Sequence, residues 1–124
     1  AMRRDPSRPS RPFCAPDARS LGVRVPRDIK PDDEGDVHPW TGGMSVSPDD
    51  PRNLPQHRRP PAFGGTGEDP VFVIADDGLG ANLVFRPDPR NEWQHGFVEP
   101  SAIVGLAVYQ RAICDTAPSW RKTP

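Results

Sequence analysis

Proline at 18 of 124 positions constrains this chain more than any other feature. Each proline removes a backbone donor and fixes φ, so a stretch holding several cannot continue a helix or sit inside a sheet. The prolines are unevenly spread. Residues 1–62 hold 12 of them and only 8 of the 24 Leu, Ile, Val and Phe residues, whereas residues 63–124 hold 6 and 16. The second half therefore has to build most of the core. Proline together with 11 glycines brings the chain near the composition at which packing fails, but disorder throughout also needs a high net charge, and here the formal charge is -1. These features predict one small domain with many irregular proline-rich loops.

At the N-terminus, Arg3, Arg4, Arg8 and Arg11 alternate with Pro6, Pro9 and Pro12, which predicts a flexible Pro/Arg-rich arm over residues 1–19 ahead of a single domain over residues 20–124. The longest apolar run, Ala102–Val108, is far shorter than the ~20 residues a bilayer requires, and the N-terminus lacks the apolar centre of a signal peptide. No membrane partner is expected, and a cytoplasmic location follows. Sixteen basic residues against 17 acidic ones give no bulk attraction for nucleic acid. Cys14 and Cys114 stand too far apart in sequence for a zinc knuckle or a redox pair, and both read as free thiols in a reducing compartment.

Within the domain, Leu21–Val25 is a short extended segment closed by Pro26, and an acidic turn follows over Asp32–Asp36. Met44 and Val46 alternate with Ser45 and Ser47 after two glycines, as in a half-buried strand. Residues 49–61 carry four prolines and read as an irregular loop. Val71–Ile74 and Asn82–Arg86 read as the two arms of a hairpin, and Gly96–Glu99 as a third strand closed by Pro100. Ser101 is placed to cap a C-terminal helix whose apolar face includes Ile103, Leu106, Ala107, Ile113 and Cys114. Trp120, beyond Pro118, either folds back on that helix or extends from it. The fold class is α+β, with small antiparallel sheets and a C-terminal helix.

Chemistry-bearing residues are few. His38, His57 and His95 lack metalloprotease spacing, no metal site is expected, and the glycine-rich loops lack the Lys-Ser or Lys-Thr of a P-loop. His57-Arg58-Arg59 ahead of Pro60 and Pro61 forms a compact anion receptor or, alternatively, a surface loop pairing with Asp32–Asp36. In an extended segment His95, Phe97 and Glu99 share a face, where an imidazole and a carboxylate flanking a phenyl ring can bind a ring and stabilise positive charge.

The run Gly35-Asp36-Val37-His38-Pro39-Trp40-Thr41-Gly42-Gly43-Met44-Ser45-Val46-Ser47, followed by Leu54-Pro55 and His57-Arg58-Arg59-Pro60, resembles the NAD-dependent antibacterial toxins of the type VI secretion system, whose fold is similar to ADP-ribosyltransferases. His95 in a strand-like segment ending at Pro100, then Tyr109-Gln110 on a helix, agrees in order, and the resemblance covers residues 28–115. It implies an α+β domain of ADP-ribosyltransferase-like fold with bent antiparallel sheets around a nicotinamide cleft and NAD as cofactor. It further implies that Thr41, Gly42, Ser45 and Ser47 shape the pocket, with His57, Arg58 and Arg59 holding the dinucleotide. Glu99, with His95, carries catalysis by stabilising the ribosyl cation. Arg24 stands in for the first-strand arginine, although the family's Leu-Tyr-Arg segment has no match there. The function implied is that of a toxin-like, NAD-consuming transferase, exported without a signal peptide, acting in a target-cell cytoplasm and countered by an immunity protein. Two alternatives stand beside it: a metal-free ribonuclease toxin using His57 or His95 with Glu99, and a non-catalytic protein-binding module.

Overall fold

The structure is a computed structural model that describes residues 3–5, 8–13, 23–48, 54, 56–59, 61–67, 71–92 and 95–122. Its strands in chain order are β1 (Arg3–Asp5), β2 (Arg8–Phe13), β3 (Asp36–Val37), β4 (Met44–Val46), β5 (Phe72–Val73), β6 (Leu83–Pro87), β7 (Gly96–Pro100) and β8 (Val104–Gly105). Helix α1 (Leu106–Asp115) and strand β9 (Arg121–Lys122) follow. Among the described residues every pairing is antiparallel: β4-β7-β6 form a three-stranded sheet, and β1-β2, β3-β8 and β5-β9 form two-stranded ones. The fold is thus a small α+β arrangement of short antiparallel sheets with one C-terminal helix.

The β4-β7-β6 sheet separates its two faces by alternation. Met44, Val98 and Leu83 are buried on one side, in a core shared with Val37, Tyr109, Ile113 and Trp120. Helix α1 joins this core through Tyr109, whose hydroxyl accepts from the Met44 N–H at 2.9 Å and donates to the Val98 carbonyl at 2.8 Å. A side chain at Gly43 would collide with that carbonyl and crowd the Tyr109 hydroxyl, so the approach depends on glycine at this position. Burial pushes the Tyr109 phenol well above its ordinary pKa.

Several sequence expectations are corrected. Val71–Ile74 does not pair with the segment after it. Its central residues, Phe72 and Val73, pair with β9, and β6 pairs with β7, in register Phe85↔Val98 and Arg86↔Phe97. The alternative pairing gives Arg86 a carboxylate partner on β7, which a hairpin with residues 71–74 does not offer. Ser101 does not cap the helix. Its hydroxyl donates to the Ala81 carbonyl at 3.0 Å, the helix begins after Gly105, and Ile103 is exposed. Residues 25–28 form a turn rather than part of a strand, closed by the Asp28 carboxylate on the Arg24 N–H at 2.7 Å; Leu21 lies outside the described residues. Residues 3–5 and 8–13, within the expected Pro/Arg-rich arm, pair with each other as the β1-β2 ladder. Of the two dispositions open to Trp120, it takes the inward one: it is buried, and its indole N–H donates to Thr116 Oγ1 at 2.9 Å.

Cys114 is disulfide-bonded, not a free thiol. Separation along a chain excludes only local motifs, since a fold can bring distant cysteines together. The chain's other cysteine, Cys14, lies outside the described residues.

Candidate functional site

On the outward face of the same sheet, registers Ser45↔Phe97 and Arg86↔Phe97 align a hydroxyl, a phenyl ring and a guanidinium across three strands. Two residues along β7 on either side, Glu99 and His95 share that face. His95 and Phe97 meet edge to face with ring centroids 4.8 Å apart. Arg86 lies 5.1 Å from the centroid of Phe97 and also 5.1 Å from that of Trp40, a guanidinium between two rings.

Glu99 is the polar centre of this face and is 1% exposed. Its Oε2 accepts from Arg86 Nη2 at 2.7 Å and Nε at 3.0 Å, and from the Gly42 N–H at 3.3 Å. Its Oε1 accepts from the Trp40 N–H at 2.9 Å. The hydrogen bond to Glu99 raises the Arg86 pKa further. The residue expected to supply a free carboxylate is thus fully engaged in holding Arg86 and the turn at residues 40–42.

His95 has a different partner. Its Nδ1 lies 2.9 Å from Oδ2 of Asp88, a buried carboxylate whose other oxygen accepts from the Arg90 N–H at 3.0 Å. The His95 hydrogen bond, followed by that of Arg90, holds the Asp88 carboxyl below its ordinary pKa. A carboxylate on Nδ1 fixes ring orientation and directs Nε2 outward for proton transfer. No hydrogen bond of Nε2 is found among the described residues, and the His95 side chain is 35% exposed. Continuing the β4-β7 register one step sets Ser47 opposite His95; Ser47 Oγ is buried without a hydrogen-bond partner among the described residues.

The remaining expected site residues are dispersed. Thr41 is exposed, and its hydroxyl donates to the His38 carbonyl at 2.7 Å. Gly42 has φ 113° and contributes its N–H to Glu99. Arg24 pairs with Asp28 four residues on. Arg59 donates to the Leu54 carbonyl at 3.0 and 3.2 Å and so closes its own loop, while His57 and Arg58 are exposed. Among the described residues, neither arginine pairs with Asp32–Asp36. Asp32 instead takes His38 Nε2 at 2.7 Å.

Sequence reasoning missed Trp40, Arg86 and Asp88. The signal for the last two was available, since Val84, Arg86 and Asp88 repeat the two-residue period of His95, Phe97 and Glu99, but it points to one shared face only once β6 is paired with β7. Comparison with protein-family models, curated proteins and solved structures returns no match.

Proposed function

We propose that the chain is a toxin-like enzyme of the ADP-ribosyltransferase class that consumes NAD on the outward face of the β4-β7-β6 sheet. What carries the reading is the row Ser45, Phe97 and Arg86 ending beside the Asp88–His95 pair: stacking surface, hydroxyl and oriented base lie along one open face. Breaking the ribosyl–nicotinamide bond sends its electron pair onto nicotinamide and leaves positive charge on the sugar. An acceptor then adds and must lose a proton. His95 Nε2 takes that proton, and Asp88 offsets the charge the imidazole gains. Glu99 acts here as a positioning residue for Arg86 and the turn at 40–42, while exposed Arg58 is available to the pyrophosphate. The toxin's route, target cytoplasm and immunity partner rest on the resemblance of the Thr-Gly-Gly-Met-Ser-Val segment. No helix among the described residues is long and apolar enough to cross a membrane.

The Asp88–His95 pair also favours a second reading, a metal-free ribonuclease with His95 as base. One experiment separates them. Purified wild type, His95→Ala and Asp88→Asn are incubated with NAD and with RNA, and nicotinamide release and RNA length are followed. The transferase reading expects nicotinamide release that falls about 10²- to 10⁴-fold in His95→Ala, with RNA intact. Cleaved RNA at constant NAD supports the ribonuclease, and inertness toward both removes each enzyme reading.

A further inference from the structure

Trp40 combines left-handed backbone (φ 70°), 76% exposure and a backbone N–H bound to the buried Glu99 carboxylate. Bulky residues avoid that region of backbone space, and such strain persists where the surroundings over-determine it. Glu99 supplies that determination, binding the N–H groups of Trp40 and Gly42 and the Arg86 guanidinium at once. Arg86 lies over one face of the indole, so the turn presents the other face to solvent. Core packing does not account for this arrangement, because a core tryptophan is buried, as Trp120 is.

We propose that the outer face of Trp40 is a stacking platform for the purine ring of a nucleotide. The inference rests on the NAD reading for the identity of that nucleotide, whose adenine half would stack here. A guanidinium on the inner face draws the indole π electrons toward itself, so the outer face takes a neutral, electron-rich purine in preference to the cationic nicotinamide ring. The row then runs from Trp40 through Arg86 and Phe97 to His95, and a dinucleotide anchored on Trp40 by its adenine points its other end toward the imidazole. Arg86 and Glu99 are positioning residues in this arrangement.

The test is calorimetric titration of wild type, Trp40→Phe and Trp40→Gly with AMP, nicotinamide mononucleotide and NAD. Glycine adopts φ 70° without strain, so Trp40→Gly deletes the ring while favouring the native turn; thermal unfolding checks that the fold is kept. Wild type is expected to bind AMP and NAD more tightly than the mononucleotide. Trp40→Gly should lose about fivefold or more in affinity for AMP and NAD, and Trp40→Phe should recover most of it. Equal binding of AMP and NAD by wild type and Trp40→Gly overturns the platform while leaving NAD cleavage to stand or fall by nicotinamide release. AMP binding that depends on Trp40, in a protein that leaves NAD intact, supports the platform and removes the NAD reading. Wild type that binds neither AMP nor NAD overturns the platform outright.

Discussion

A carboxylate with hydrogen bonds from two backbone amides and a guanidinium, at 1% exposure, is an anchor rather than a mobile charge. Removing the charge from one side of a buried pair leaves the other uncompensated. Glu99→Gln should therefore lower stability by about 3 kcal/mol, read from urea midpoints. Glu99→Gln combined with Arg86→Met should cost less than the sum of the single changes, because the pair is lost as a unit. Asp88 makes a separate prediction in pH. Its folded pKa lies below the unfolded carboxyl value of about 3.9, so its bonds to His95 and Arg90 add stability that is complete above that value. The contribution disappears as pH falls through the folded value. Asp88→Asn should therefore flatten the acid limb of a stability-against-pH curve below about pH 4, measured by denaturation at each pH. Glu99 and His95 were legible in the sequence because the two-residue period of a strand places them with Phe97. Their partners were not, because one strand reveals a face and leaves its neighbours open.

At the scale of elements, the same limit explains which parts were readable. The half-buried strand at Met44–Val46 and the strand at Gly96–Pro100 follow from alternation and flanking glycine or proline. The pairing of β5 with β9 joins residues nearly fifty positions apart, and nothing local in Val71–Ile74 selects Arg121 and Lys122 over the segment that follows it. The helix start was misplaced for a related reason: Ser101 has the chemistry of a cap, but its hydroxyl is used by the Ala81 carbonyl at the end of the β6-β7 ladder. Tyr109 ties helix to sheet by binding one backbone donor on β4 and one backbone acceptor on β7 in the buried core. Tyr109→Phe keeps the ring and removes only that link. It should cost about 1–3 kcal/mol in thermal or urea unfolding, with far-ultraviolet circular dichroism unchanged.

For the whole molecule, the uneven spread of apolar residues and prolines points to a core built mainly by the second half: of the ten buried core residues among the described ones, Phe72, Leu83, Val98, Tyr109, Ile113 and Trp120 come from it. What composition could not foretell is that two segments of the expected N-terminal arm pair with each other, or that Cys114 is oxidised. Small chains with limited cores commonly gain stability from such cross-links. The phenol of Tyr109 carries one more consequence. The Met44 amide hydrogen is bound by a group on the helix as well as lying in the β4-β7 register. Deuterium uptake at that amide should therefore speed up when α1 undocks, so a single backbone resonance is sensitive to the parting of helix and sheet, and Tyr109→Phe should raise its exchange rate.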